Sequence, residues 1–140
     1  MARRLDAISN FDDDHWRYSR PFEPGALREL HWHPNADEWQ YIINGDVSVT
    51  MFGSHGRFRT ELLHTGDAGY IPQGYGHSIE NVGSVQSRIL IAFNSGSYES
   101  IDLSAWIAGN PADVLATNFN KPESLIRRFP RKDVFIAPGK

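Results

Sequence analysis

Residues 25–45 have the sequence GALRELHWHPNADEWQYIING, and this stretch decides the fold we expect. It places His31, His33 and Glu38 at fixed spacings between two glycines. A second glycine-rich stretch places His77 shortly after a Pro-x-Gly turn. Three imidazoles and one carboxylate can coordinate a divalent metal ion and leave positions open for a substrate. The two stretches therefore predict a metal site with these four residues as ligands.

Short alternating runs broken by glycines surround the predicted ligands. The runs with the length and composition of strands are residues 38–43, 46–52, 57–63, 77–82 and 88–93. Because residues two apart in a strand face the same side, His31 and His33 both point into the predicted barrel. The dipeptide Asn44-Gly45 is typical of a hairpin turn, and residues 53–56 form a second turn signal. The pattern predicts an all-β protein built as an antiparallel barrel or jelly roll.

The hydrophobic period changes to that of helices after residue 95. Leu103, Trp106 and Ile107 have helical spacing, with Asp102 as candidate N-cap and Gly109 as the stop. A second helix is predicted from Asn110-Pro111 and a third from Lys121-Pro122-Glu123. The buried stripe expected for the second helix consists of Val114, Leu115 and Phe119. We expect one domain with three parts, an N-terminal arm (1–24), a barrel (25–95) and a helical C-terminal extension (96–140).

Composition excludes several classes of protein. The chain has 140 residues, 40% of them hydrophobic, a net charge of −3 and no cysteine, so disulfides and thiolate metal sites are excluded. No basic stripe indicates a nucleic-acid partner. No apolar run approaches the roughly 18 residues of a membrane span, and no secretory signal follows the N-terminal arginines. We expect a cytoplasmic protein that binds neither nucleic acid nor membrane.

The ligand types also indicate which metal the site would hold. With nitrogen and oxygen donors only, and room for six ligands, the pattern favours Mn(II), then Fe(II), then Zn or Ni. A His-x-His pair alone is common in strands and usually binds no metal, so the prediction depends on the full spacing of both stretches. His15, His55 and His64 lie in the arm or in turns and are expected to be solvated.

The two stretches resemble both signature motifs of the cupin superfamily. Residues 25–41, residues 66–72 and the tail around Trp106 and 116–119 are similar to bacterial oxalate decarboxylases, and the resemblance runs from about residue 22 to 130. It implies a cupin double-stranded β-helix, a jelly-roll barrel, with a short helical tail. It also implies manganese on the four predicted ligands, dioxygen as a cofactor, and conversion of oxalate to formate and carbon dioxide.

Arg28 matches the arginine of these decarboxylases that contacts the substrate. A guanidinium suits that role because it can pair with a carboxylate through two hydrogen bonds. However, Arg28 lies three residues before His31, so strict strand alternation would aim it away from the metal. A bulge near Arg28 is required for the role, and the alternative is a solvated charge at a strand edge.

Glu99 matches the position of a flexible lid in the resembled enzymes, whose glutamate delivers a proton to the intermediate. Here the corresponding segment, residues 95–101, is shorter, and Glu99 is its one acidic residue. The resemblance makes Glu99 a candidate general acid, and the alternative is a charge in solvent. The chain departs from the family further in having one cupin unit instead of two and only 24 residues before Gly25.

Three functions remain open from the sequence. The first is a manganese-dependent carboxy-lyase, similar to oxalate decarboxylase, acting on oxalate or a related small carboxylate. The second is an oxalate oxidase or dioxygenase-type cupin, favoured if Glu99 lies away from the metal. The third is a non-catalytic cupin that binds a small ligand through its metal. Exposed aromatic residues and the short N-terminal region predict a homodimer or higher homo-oligomer.

Overall fold

The computed structural model describes residues 22–139, which form two antiparallel sheets and three short helices. The strands are β1 (Leu27–Trp32), β2 (Glu38–Asn44), β3 (Val47–Phe52), β4 (Phe58–Leu63), β5 (Ala68–Ile71), β6 (Gly76–Asn81), β7 (Arg88–Phe93), β8 (Ile101–Asp102) and β9 (Ile136–Ala137). The helices are α1 (Leu103–Gly109), α2 (Ala112–Phe119) and α3 (Glu123–Ile126). The all-β class with a helical tail is confirmed. Most of the predicted arm, including His15, lies outside the described residues.

Two sheets face each other across the core. The larger has the strand order β4-β3-β6-β1-β8, with β9 also paired to β1, and the smaller has the order β5-β2-β7. Strand alternation turns one apolar row of each strand inward. The buried core cluster consists of Ile42, Val47, Val49, Ile71, Ile79 and Ile89. The same inward rows carry the predicted ligands, so the core positions the site.

The turn at Asn44-Gly45 does not form the predicted hairpin. β2 pairs with β5 and β7, whereas β3 pairs with β4 and β6, so this turn carries the chain from one sheet to the other. Gly45 has a φ of +93°, and a Cβ atom there would lie 2.6 Å from Cβ of Ser87. The turn therefore depends on glycine, although its role differs from the prediction. The hairpin is the next connection, from β3 to β4 through a 3-10 turn at Ser54–Gly56.

A bulge interrupts β1 between Arg28 and His31. Arg28 pairs with Ile79 of β6, but His31 pairs with His77, so β1 advances by three residues while β6 advances by two. Directly paired residues of neighbouring strands face the same side of a sheet. Because Ile79 belongs to the core, Arg28 and His31 both face the interior. The bulge that the role of Arg28 required is thus present.

Asn81 has a structural role at the end of β6. It is fully buried, and its Nδ2 donates to the carbonyl oxygens of Phe22 at 2.7 Å and Val85 at 2.8 Å. Its Oδ1 accepts from the backbone N–H of Gly83 at 2.9 Å. Asn81 therefore fixes the loop before β7 and the chain that enters the barrel.

The C-terminal extension is more than helical, since it also adds β8 and β9 to the larger sheet. α1 ends at Gly109 as predicted, but Asp102 makes no side-chain capping bond. In α2 only Leu115 is buried, whereas Val114 and Phe119 are exposed. The predicted buried stripe of three residues is therefore wrong. This two-turn helix packs mainly against α3, and only one of its apolar residues is buried. No helix within residues 22–139 combines the length and apolar character needed to cross a membrane.

Candidate metal centre

The four predicted ligands meet inside the barrel. One ligand atom from each of His31, His33, Glu38 and His77 lies within 4.8 Å of all the others, and all four residues are buried. β1 and β6 of the larger sheet supply His31 and His77 as a directly opposed pair. His33 follows β1, and Glu38 opens β2 of the facing sheet. The cluster therefore depends on both sheets.

Each histidine ring is held by a backbone carbonyl. The distances from Nδ1 to the carbonyl oxygen are 2.7 Å for His31 to Glu29, 2.7 Å for His33 to Glu99 and 3.1 Å for His77 to Tyr75. A carbonyl oxygen can only accept a hydrogen bond, so each Nδ1 carries the ring proton. In a neutral imidazole the Nε2 atom then has a free lone pair. All three rings are thus in the tautomer that metal coordination through Nε2 requires.

The carboxylate of Glu38 is oriented by Gln40, which donates from Nε2 to Oε1 at 2.8 Å. The other oxygen, Oε2, lies 2.9 Å from Nε2 of His33 and 3.1 Å from Nε2 of His77. Among the described residues, the buried Nε2 of His31 has no hydrogen-bond partner. Lone pairs of neutral rings and a carboxylate would repel one another at these distances, and a divalent cation between them would remove the repulsion. The donor set fits such an ion.

Electrostatics set the protonation states of two of the ligands, His31 and Glu38. Burial lowers the pKa of His31 to about 2, and the charges of His77 and Arg28 act in the same direction. Burial alone would raise the pKa of Glu38, but the polar rings of His33 and His77, whose Nε2 atoms lie 2.9 and 3.1 Å from its Oε2, outweigh it and hold that pKa well below its usual range. His31 is therefore neutral and Glu38 ionised at neutral pH.

Arg28 lies on the inner face of β1 and is completely buried. Its guanidinium forms an ion pair with the carboxylate of Asp102. It also donates to the carbonyl oxygen of Phe135 at 3.2 Å and lies over the Phe135 ring, 4.0 Å from the centroid. The alternative of a solvated edge charge is therefore wrong. A contact between Arg28 and a substrate stays a prediction.

Glu99 contacts the centre through its backbone. Its carbonyl oxygen accepts the hydrogen bond from His33, whereas the residue as a whole is exposed. The preceding residue, Tyr98, packs its ring against His33 and Phe93 at centroid distances of 5.5 and 5.3 Å. The segment thus covers one side of the centre, and the role of Glu99 as a general acid stays a prediction. His55 and His64 are exposed, as predicted for solvated histidines.

Two residues of the centre, Gln40 and Asp102, were not predicted from the sequence. Gln40 lies two residues after Glu38 on β2, so strand alternation already places both on one face. Asp102 was predicted to have another role, because its position before α1 is typical of a helix N-cap. Nothing in the local sequence pairs it with Arg28, which lies 74 residues away.

Comparison with known proteins agrees with this geometry. The sequence model described as Cupin matches residues 17–124. Oxalate decarboxylase of Bacillus subtilis is 46% identical over 89 residues, which cover 64% of this chain and 23% of that protein. A probable oxalate decarboxylase of Arthroderma benhamiae is 35% identical over 116 residues, or 82% of this chain and 29% of that protein. Germin-like protein 3-8 of Oryza sativa is 30% identical over 108 residues, or 74% of this chain and 48% of that protein.

Solved structures show the same likeness. A structure from a study of the Mn(II) centres in Bacillus subtilis oxalate decarboxylase has a TM-score of 0.80 and 35% identity. The match covers 86% of this chain and 32% of that one. The chain thus spans less than a third of the decarboxylases it matches in sequence.

Proposed function

Because the chain belongs to the cupin family, we propose that it is a manganese-dependent enzyme acting on oxalate or a related small carboxylate. The observation that carries the proposal is the buried cluster of three Nδ1-protonated histidines and one ionised glutamate. Relatives named oxalate decarboxylase, one of them studied for its Mn(II) centres, support both the metal and the substrate class.

In this proposal His31, His33, Glu38 and His77 hold the ion. Bound there, the metal supplies a Lewis acid for carboxylate oxygens and open positions for substrate and dioxygen. The backbone carbonyls behind the three rings keep the tautomers fixed, and Gln40 keeps Oε2 of Glu38 directed at the centre. The buried guanidinium of Arg28 provides positive charge on the same inner face, which attracts an anionic substrate.

A second outcome of the chemistry, oxidation, is favoured by the placement of Glu99. Formate production requires a proton on the carbon that loses carbon dioxide, whereas Glu99 contacts the centre through its backbone carbonyl and is exposed as a residue. Without a proton donor, the electrons of oxalate would pass to dioxygen and give carbon dioxide and hydrogen peroxide. Decarboxylation and oxidation are therefore the two activities to separate.

The experiment that tests the proposal combines metal analysis with product analysis. The protein is produced with manganese supplied, bound metal is quantified, and formate and peroxide are measured after incubation with oxalate under air. We expect bound manganese and one of the two products. His77→Ala should lose the metal, whereas the exposed control His64→Ala should retain it. A fully loaded protein without either product would favour a non-catalytic, ligand-binding cupin.

Replacement of Glu99 separates the two activities. If its side chain is the general acid, Glu99→Gln should abolish formate and leave or increase peroxide, with metal content unchanged. Because its backbone carbonyl remains, the hydrogen bond to His33 should persist in this variant. Unchanged formate production would exclude the acid role of Glu99.

A further inference from the structure

We propose that Asp102 is a specificity-determining residue of this centre and makes it favour singly charged over doubly charged carboxylate ligands. The inference rests on the proposed function, because it concerns the anion that approaches the metal.

The register of β8 places Asp102 on the inner face. Asp102 is the direct antiparallel partner of His31, and directly opposed residues face the same side of a sheet. His31 is a metal ligand in the proposed function, so the carboxylate of Asp102 lies on the side of the centre. The residue is only 7% exposed.

Arg28 reaches the same face through the bulge in β1, and its guanidinium pairs with Asp102. The hydroxyl of Ser100 donates to the second carboxylate oxygen, Oδ2 of Asp102, at 3.2 Å. The carbonyl and the ring of Phe135 hold the guanidinium from another side. A ligand carboxylate that approaches Arg28 therefore meets a cation that already binds a fixed carboxylate.

The consequence is a difference in how the site treats ligand charge. Every negative charge on a ligand near Arg28 is repelled by Asp102, and in a buried site such interactions are far stronger than in water. The repulsion energy between Asp102 and the ligand is therefore larger for a dianion than for a monoanion. Asp102 therefore lowers the affinity for the dianion relative to a monoanion of the same shape.

Oxalate and oxamate test this directly, because they have similar planar shapes but two negative charges and one, respectively. Their dissociation constants are measured by calorimetry on manganese-loaded wild type and manganese-loaded Asp102→Asn. We expect Asp102→Asn to raise the affinity ratio of oxalate to oxamate by about tenfold or more. The matched control is Asp113→Asn, which removes one charge from the exposed first turn of α2 and should change the ratio by less than about twofold.

Two further variants distinguish the loss of charge at Asp102 from a folding defect. Asp102→Glu keeps the charge and should keep the wild-type ratio. If Asp102→Asn does not fold, Asp102→Ser, which also removes the charge, takes its place, and we expect the same rise in the ratio. An unchanged ratio in a folded variant that removes the charge, Asp102→Asn or Asp102→Ser, would overturn the inference.

Failure of the proposed function has a different signature. A manganese-loaded protein that converts no carboxylate, yet shows the expected charge preference, overturns the activity and leaves the role of Asp102. A protein that retains no manganese overturns both.

Discussion

At the scale of single residues, backbone and side chain divide the work of orienting the ligands. The three histidine rings are held by carbonyl oxygens, which no substitution of the carbonyl-bearing residues removes. Glu38 instead depends on the side chain of Gln40, which donates to Oε1 at 2.8 Å. Gln40 is therefore the residue whose replacement tests the orientation of a ligand without removing the ligand.

Gln40→Leu should weaken manganese binding by about 10- to 100-fold, the usual effect of losing a hydrogen bond behind a metal ligand. The leucine has a similar volume but leaves Oε1 of the buried Glu38 without its donor. Competition against a metal chelator measures the affinity. The control is Gln86→Leu, since Gln86 is exposed and lies outside the centre. Equal affinities for wild type and Gln40→Leu would show that Gln40 does not hold Glu38.

The ligands could be predicted from the sequence because their spacing combines with strand alternation, a local rule. The bulge that turns Arg28 inward was required by the expected role of Arg28, but no residue type in β1 predicts a bulge. The ion pair with Asp102 could not be predicted at all. It arises because the C-terminal extension returns to pair with β1, and only the tertiary structure brings residues 28 and 102 together.

At the scale of elements, the turn between β2 and β3 shows how a correct local signal led to a wrong pairing. Asn44-Gly45 predicts a tight turn, and a tight turn is present, but the strands it joins belong to different sheets. The period of two in each strand is the same in either arrangement. The pairing of β2 with β5 and β7 is what distinguishes a turn between two sheets from a hairpin within one sheet.

Gly45→Ala should destabilise the protein by about 1–3 kcal/mol. The new Cβ would lie 2.6 Å from Cβ of Ser87, and the φ of +93° is strained for any other residue. The matched control is Gly66→Ala, which shares a φ of +94° but has no atom within 4 Å of the new Cβ. Urea unfolding of both variants separates the clash from the backbone strain. A loss no larger for Gly45→Ala than for Gly66→Ala would contradict the close approach.

The C-terminal segment that carries β9 has a pH dependence of its own. Partial burial of its carboxyl group, the charge of Asp102 and a hydrogen bond with Glu29 raise the pKa of Asp133. A carboxyl group with a higher pKa in the folded than in the unfolded chain lowers stability once the pH exceeds its unfolded value, about 3.9. Ionised Asp133 therefore destabilises the segment at neutral pH.

Asp133→Asn should raise the melting temperature at pH 7, and the gain should shrink as the pH is lowered toward 4. Because Asp133 is exposed, solvent screening limits the gain to about 0.5 kcal/mol. Thermal melts at several pH values measure it, with Asp113→Asn as a control for net charge. A gain that is independent of pH would show that the ionisation of Asp133 is not its cause.

At the scale of the whole molecule, the two sheets differ in what their outer surfaces present. Alternation along β2 buries Glu38, Gln40 and Ile42 and turns the intervening residues outward. They join exposed residues of β5 and β7 in an apolar outer face that consists of Trp39, Tyr41, Ile43, Tyr70 and Leu90. Within this outer face Trp39 lies opposite Tyr70, with ring centroids 4.7 Å apart, and Tyr41 lies opposite Leu90. A continuous apolar surface of this kind is typical of an interface.

We expect the protein to be a dimer or larger assembly at micromolar concentration, with this outer face buried between copies. The double variant Tyr41→Lys and Leu90→Lys places two like charges at the centre of the face and should dissociate the assembly. Phe58→Lys is the control, because Phe58 is 70% exposed but belongs to β4 of the other sheet. Sedimentation velocity measures the mass of each form. Because the ligands face inward, the monomeric variant should still retain manganese, and a wild type that sediments only as a monomer would rule out the assembly.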